Sequence, residues 1–168
     1  MRSLAVLLLV GCATPRATPP PTTSEPSSAT PTLALQRYPG GEPWTLASER
    51  GHVVLLDVWA TWCEPCRDTL PTYHALQARY AERGLKVFTI NVDEDAAHVA
   101  SFIAELKLTL PVLRDPGAGA IEQALKVTLI PTSYVIDQHG VVRHVHEGVT
   151  DDAEQRLSVE IDALLAPK

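Results

Sequence analysis

The central part of the chain alternates between short apolar runs and longer stretches with helical periodicity. Residues 53–59, Val-Val-Leu-Leu-Asp-Val-Trp, are apolar at almost every position, which is typical of a strand covered on both faces. Residues 64–83 place apolar side chains on one helical face and predict a helix that ends at Gly84. A second apolar run, residues 85–92, completes a strand–helix–strand unit.

The remaining residues of this region predict further strands and helices. They are, in chain order, a short strand or loop at 44–46, a helix at 99–106, an extended segment at 110–113, a short helix at 120–125, two strands at 132–136 and 141–145, and a C-terminal helix. Asp151 and Glu154 have the spacing of a capping box that begins the last helix. This order predicts an α/β fold whose central sheet is mixed, because the late hairpin is antiparallel, and is flanked by helices.

The first 32 residues have a different character. Arg2 precedes seven apolar residues, 4–10, which are too few to span a bilayer, so residues 1–11 predict an export signal. Residues 9–12, Leu-Val-Gly-Cys, resemble the lipobox of bacterial lipoproteins, which implies cleavage before Cys12 and lipidation of that cysteine. The alternative is an ordinary signal peptide followed by an incidental cysteine.

The segment after Cys12 predicts a tether. Residues 13–32 contain six Pro, six Thr and three Ser and no large apolar side chain, so burial cannot offset their ordering entropy. Residues 12–32 are therefore interpreted as a lipidated, disordered tether and residues 33–168 as one domain, held in the cell envelope and facing the periplasm or the exterior. A cleaved or functionless tail is the alternative.

Composition narrows the classes of function. The 168-residue chain is 45% hydrophobic with a formal net charge of −6, which suits one globular domain with tails and argues against a nucleic-acid partner. The sequence shows no cofactor or metal motif, and we expect a monomer. His144 and His146 lie on one predicted strand face, where a solvated pair is a commoner arrangement than a metal site.

The residues that carry chemistry are Trp-Cys-Glu-Pro-Cys at 62–66. A C-x-x-C between a strand and a helix is typical of a thioredoxin-like redox motif. Helix N-termini lower thiol pKa values, so Cys63 is predicted to attack and Cys66, one turn further on, to resolve. Glu64 opposes the thiolate by repulsion. A purely structural disulfide and half of a zinc site are the alternatives that the motif leaves open.

Two further positions are unusual for their surroundings. Asp57 interrupts an apolar strand, and a buried carboxyl with a raised pKa can accept the proton of Cys66 during resolution; an acid that reaches solvent is the alternative. Pro131 follows Ile130 at the start of a strand, where proline cannot donate a ladder hydrogen bond.

Residues from about 40 to 168 resemble the TlpA/ResA family of membrane-tethered thiol–disulfide oxidoreductases. The resemblance is carried by residues 53–67 around the dithiol, by Pro71, by a stretch from Asn91 to about Asp115 similar to the family's central insertion, and by Ile-Pro-Thr at 130–132 with the hairpin after it. Many TlpA-like proteins carry Asn where this chain has Asp57, whereas thioredoxins carry Asp.

The resemblance implies a thioredoxin-like fold with a TlpA-type insertion. It also implies that Pro131 is cis and shapes a substrate groove with Trp62, Pro65 and Ile130, and that Glu94 matches an acidic residue near the dithiol. The expected activity is reduction of disulfides in exported, cysteine-containing proteins, including cysteine pairs awaiting haem attachment, with electrons from a membrane thiol donor.

Other functions remain open at this point. They are a peroxiredoxin-like hydroperoxide reductase, a disulfide oxidase or isomerase, and a non-catalytic binding module on the same scaffold. The peroxidatic P-x-x-x-T-x-x-C pattern is absent around Cys63, because Ala60 stands three residues before it.

Overall fold

The computed structural model describes residues 31–166. The predicted export signal, Cys12 and almost all of the predicted tether lie outside these residues. Within 31–166, no helix is both long and apolar enough to cross a membrane.

The described residues form seven strands and four α-helices. These are β1 (Ala34–Tyr38), β2 (Pro43–Thr45), β3 (Val53–Trp59), α1 (Glu64–Tyr80), β4 (Leu85–Asn91), α2 (Val99–Glu105), β5 (Val112–Arg114), α3 (Gly119–Leu125), β6 (Thr132–Ile136), β7 (Val142–Glu147) and α4 (Ala153–Leu165). The predicted order of strands and helices is confirmed from β2 onward, and the predicted central insertion holds α2 and β5.

All seven strands belong to one mixed sheet with the order β2-β1-β5-β4-β3-β6-β7. The pairs β3–β4 and β4–β5 are parallel, whereas the remaining pairs are antiparallel. The predicted mixed sheet is therefore confirmed, with β3 near its centre and every residue of β3 buried. A central strand has neighbours on both edges and helices on both faces, which explains its nearly continuous apolar sequence.

The pleat of β3 separates two differently covered faces. Asp57 and Trp59 point to the face that carries α1, α2 and α4, since Asp57 interacts with Tyr73 of α1 and Trp59 stacks on Phe102 of α2. Val58 points to the opposite face, which α3 covers. The dithiol helix α1 and the helix α3 therefore approach the end of β3 from opposite sides.

Four local features differ from the sequence prediction. The first helix ends at Tyr80 and continues as a 3₁₀ turn, Ala81–Arg83, before Gly84 (φ 102°) ends it. The capping box at Asp151 is wrong, because Asp152 is the N-cap and makes no side-chain capping bond. Strand β1, in which Leu35 is buried, was not predicted, and neither was the cis bond between Tyr38 and Pro39.

The two edges of the sheet are short or polar. At one edge, β2 has three residues and begins with Pro43, which has no N–H to donate. At the other edge, β7 has the sequence Val-Arg-His-Val-His-Glu, in which Arg143 and Glu147 are exposed.

Candidate active site

The two cysteines are joined in a disulfide across the first turn of α1. Cys63 is the N-cap of the helix with an extended backbone (φ −85°, ψ 96°), and its N–H donates to the carbonyl of Ala60 at 3.1 Å. The N–H of Cys66 donates to the carbonyl of Cys63 at 3.2 Å. The Sγ atoms are 2.01 Å apart and the Cα atoms 5.4 Å. The spacing thus brings both thiols together at a helix N-terminus.

The two sulfurs differ in accessibility. Cys63 is 4% exposed and Cys66 is completely buried, so an incoming thiol or disulfide meets Cys63 first. Trp62, directly before Cys63, is 71% exposed. This difference supports the predicted order of attack and resolution, which stays a prediction.

Charges around the first turn of α1 offset one another. Glu64 is exposed, and the guanidinium of Arg67 lies 3.7 Å from its carboxylate. Pro65 occupies the first turn, where a missing N–H costs no helical hydrogen bond. Because Arg67 is cationic, the predicted repulsion between Glu64 and a Cys63 thiolate is reduced.

Arg67 also connects α1 to the predicted insertion. Its guanidinium forms two hydrogen bonds with Glu105 of α2, at 2.7 and 3.2 Å, and lies 4.6 Å from the ring centre of Phe102. Phe102 in turn stacks on Trp59 with ring centres 4.8 Å apart. In the sequence, only the position of Arg67, directly after the second cysteine, indicates that any of these residues belongs to the site.

Asp57 lies in the sheet under α1 and is completely buried. Neither carboxyl oxygen has a hydrogen-bond partner of good geometry, although the phenol of Tyr73 is close enough to interact with it. Burial raises the pKa of Asp57 well above its ordinary value of 3.8. Asp57 is therefore buried as predicted and does not reach solvent, and burial shifts its pKa in the predicted direction.

Tyr73 and Thr69 join Asp57 to the dithiol helix. Both lie on the buried face of α1 that also carries Cys66, at helical spacings of three and seven residues. The Thr69 hydroxyl donates to the carbonyl of Cys66 at 3.1 Å and also interacts with the Tyr73 hydroxyl. In the sequence, Tyr73 is one of the apolar-face residues of the predicted helix at 64–83, and no pattern there indicates a role at the site.

A groove of about 860 Å³ opens on the α3 face, and Thr61 and Trp62, which precede Cys63, form part of its wall. We call it the substrate groove; its walls are formed by Val58, Thr61, Trp62, Val92, Asp93, Glu94, Asp95, His98, Gly117, Ala118, Ile121, Glu122, Val127, Thr128, Leu129 and Ile130. Trp62 and Ile130, two of the predicted substrate-binding residues, are among them. Pro65 is exposed on α1, and Pro131 is buried directly behind Ile130; neither lines the groove. The Ile130–Pro131 bond is cis, as the resemblance implied.

Two residues of the acidic run at 93–95, Asp93 and Glu94, lie in different surroundings. Asp93 is buried and accepts hydrogen bonds from the N–H and the hydroxyl of Thr61, both at 2.9 Å, and from the amide of Asn91 at 2.6 Å. Glu94 is exposed on the wall of the groove, and its carbonyl accepts a bond from Arg114 at 3.4 Å. Asp93 thus holds the loop before Cys63, while a catalytic role for Glu94 stays a prediction.

The two histidines of β7 contact a glutamate side chain of α4, whereas the sequence favoured a solvated pair. The imidazole of His146 lies 2.7 Å from one carboxylate oxygen of Glu160 in α4, and His144 lies 3.5 Å from the other. Among residues 31–166, no cluster of three or more His, Cys, Asp or Glu side chains is arranged to hold a metal ion.

A reversible dithiol displayed at the start of a helix on a thioredoxin-like sheet is the chemistry of the thiol–disulfide oxidoreductases. Residues 25–160 match the model of the family described as redoxin, and the chain belongs to that family.

Similar proteins carry names of the same class. Thioredoxin-like protein YneN of Bacillus subtilis is 34% identical over 125 residues, covering 73% of this chain and 72% of YneN. Thiol-disulfide oxidoreductase ResA of Oceanobacillus iheyensis is 34% identical over 61% of this chain, so the chain spans about half (53%) of that relative. A crystal structure described as a thiol:disulfide interchange protein DsbE from Chlorobium tepidum matches with a TM-score of 0.76 and 30% identity, over 86% of this chain and 99% of that one. The predicted thioredoxin-like fold and the resemblance to ResA-type proteins are confirmed.

Proposed function

We propose that the protein reduces disulfides in exported proteins through the Cys63–Cys66 dithiol. The observation that carries this proposal is the disulfide at the N-terminus of α1, whose more accessible cysteine, Cys63, directly follows Thr61 and Trp62 of the groove wall. The names of the ResA and DsbE relatives support the same class of reaction.

The first step is an attack by the Cys63 thiolate on one sulfur of a substrate disulfide. A new S–S bond forms between Cys63 and that sulfur, the substrate S–S bond breaks, and the other substrate sulfur leaves as a thiolate. The helix N-terminus favours the thiolate form of Cys63, because unpaired N–H groups there stabilise negative charge.

The second step resolves the mixed disulfide. Cys66 gives its proton to the carboxyl group of Asp57, and its thiolate attacks Cys63, which closes the enzyme disulfide and releases the second substrate thiolate. Two electrons have then passed from the dithiol to the substrate. Burial brings the proton affinity of Asp57 closer to that of a thiol, which suits an acceptor in this step.

The groove favours unfolded protein segments as substrates. Its walls combine exposed Trp62 and Leu129 with the carboxylates of Glu94 and Glu122, and its volume admits an extended peptide rather than a folded surface. Cysteine pairs awaiting haem attachment are one such substrate class. The oxidised enzyme would regain two electrons from a membrane thiol donor.

Attachment to a bacterial membrane through Cys12 belongs to this proposal. The lipobox-like residues 9–12 and the proline-rich residues 13–32 support it, since an acylated terminus and an extended linker would hold the domain near a membrane donor. We expect Cys12→Ala to move the protein from the membrane fraction to the aqueous fraction of cells. Unchanged membrane association of this variant would contradict the anchor.

The reduction potential of the Cys63–Cys66 pair tests the direction of electron flow. We expect a value near or below that of thioredoxin, about −270 mV, in equilibrium with thiol redox buffers. The fraction of oxidised protein would be measured by mass spectrometry after alkylation of free thiols. A value near that of the oxidant DsbA, about −120 mV, would overturn the reductase proposal and indicate disulfide formation or isomerisation.

A further inference from the structure

The buried carboxyl of Asp57 needs a path by which its proton can reach solvent. This inference rests on the proposed function, in which Asp57 accepts the proton of Cys66. Because burial raises its pKa, the protonated form of the carboxyl is favoured, and a protonated carboxyl can accept the proton of Cys66 only as its own departs. The substrate groove is no exit, since the β3 residue that lines it is Val58, on the opposite face of the sheet. The proton therefore needs another way out.

A row of polar side chains crosses the sheet from Asp57 to its edge. Asp57 lies opposite Ser133 in the β3–β6 pair, and Ser133 lies opposite His146 in the β6–β7 pair. Side chains of opposite residues in antiparallel strands share a face and are ~5 Å apart at Cβ. Because β7 is an edge strand, the row runs from the centre of the sheet toward solvent.

Tyr73 covers the first part of this row from α1. Its hydroxyl interacts with Asp57, with Ser133 and with Thr69. Burial raises the pKa of Tyr73 well above its ordinary value, so the phenol remains protonated. Such a hydroxyl both donates and accepts hydrogen bonds, and can pass a proton on by accepting one and releasing its own.

A small cavity continues the path from these hydroxyls to the surface. It has a volume of about 110 Å³, enough for several water molecules, and lies between α1, β6, β7 and α4. Its polar walls are Thr69, Tyr73, Ser133, His146, Glu147, Thr150 and Arg156. The last three of these belong to the exposed surface, and Glu160 of α4 pairs with His146 at 2.7 Å beside the cavity.

We propose that Tyr73, Ser133 and this cavity form a proton exit that leads from Asp57 to solvent beside His146 and Glu160. Asp57 releases its proton to a hydroxyl, which releases its own proton to water in the cavity, while the proton of Cys66 replaces the first on Asp57. The hydroxyls end unchanged, no electron moves along the path, and one proton leaves for each dithiol oxidised. Tyr73 and Ser133 are positioning residues in this scheme.

The test separates the two steps of the reaction in the full-length chain. With a small aromatic disulfide as substrate, stopped-flow absorbance reports release of the first and second thiolate. We expect Ser133→Ala and Tyr73→Phe to slow resolution about tenfold, to increase its solvent deuterium isotope effect, and to leave the attack by Cys63 unchanged.

Matched variants distinguish a proton path from altered packing. Thr89 also faces Asp57, but from β4 on the side away from the cavity, so Thr89→Val should leave resolution unchanged. Tyr134→Phe removes a buried hydroxyl on the opposite face of the sheet and should also leave it unchanged. Ser133→Thr keeps the hydroxyl beside the cavity and should restore the rate lost in Ser133→Ala.

Asp57→Asn is measured alongside these variants, so that the two proposals can fail separately. If Asp57→Asn does not slow resolution, the proton acceptor in the proposed function is wrong. If Asp57→Asn slows resolution and the hydroxyl variants do not, the exit is overturned. Equal slowing of both steps by Ser133→Ala and Tyr73→Phe, without rescue by Ser133→Thr, would also overturn it, because packing alone would then account for the effect.

Discussion

Replacing Cys66 with serine is expected to trap the protein on its substrates through a disulfide at Cys63. Cys63 can still attack, but no neighbouring thiolate resolves the bond, so turnover should fall on the order of a thousandfold or more. The accumulated adduct would be measured by non-reducing electrophoresis and mass spectrometry after incubation with a cysteine-containing exported protein.

Cys63→Ser supplies the matched comparison. This variant lacks the accessible attacking sulfur, and Cys66 is completely buried, so we expect a comparable loss of turnover without any adduct. Cys12→Ser, which alters the only other cysteine, should leave both steps unchanged. Adducts through Cys66 in the Cys63→Ser protein, or normal turnover by either variant, would refute the assigned order of attack and resolution.

Asp57→Asn is expected to affect both resolution and stability. The amide cannot accept the proton of Cys66, so resolution should slow by about a hundredfold while attack by Cys63 continues. Rapid mixing with a disulfide substrate would separate the two rates. Equal rates for resolution in the variant and the parent protein would exclude Asp57 as the acceptor.

The same substitution should change how stability depends on pH. The folded-state pKa of Asp57 is raised, so the folded protein keeps a proton that the unfolded chain loses above pH 3.8. The contribution of this group to the free energy of unfolding therefore falls as pH rises from about 3.8 toward the raised pKa. Over that range the folding equilibrium constant decreases by up to about tenfold per pH unit.

Asp57→Asn should remove this contribution and leave a flatter stability profile over the same range. Urea unfolding at several pH values would measure it, with the exposed Asp95→Asn as control. Parallel profiles for parent and Asp57→Asn proteins would contradict a protonated carboxyl at this position.

The sequence predicted those parts of the fold whose pattern comes from the core. β3 was recognisable because a strand covered on both faces needs apolar residues throughout. Asp57 was recognisable as a candidate site residue for the same reason, because it is the single exception in that strand. The dithiol was recognisable because its chemistry depends on local spacing at a helix start. Resemblance to known families added the cis bond at Pro131, which residue pattern alone left undecided.

The features that the sequence did not reveal depend on contacts between distant segments. β1 is a short edge-side strand that pairs with β5, and its few buried residues give a weak pattern. Asp93 and Glu94 are chemically alike, and only the path of the chain after β4 decides that Asp93 bonds to Thr61 while Glu94 faces solvent. Likewise, only the register of the paired strands shows that Ser133 lies between Asp57 and His146.

Neither edge of the sheet favours the addition of another strand, and this affects how a client protein would be released. Unfolded chains readily add as an extra strand to an open sheet edge, and such main-chain pairing would keep a client bound after its cysteines were reduced. Here β2 is only three residues long and starts with proline, and β7 carries exposed charged side chains. In the proposed reaction, a client would then be held by one covalent bond and by contacts in the groove, with no main-chain pairing to retain it once the bond is broken.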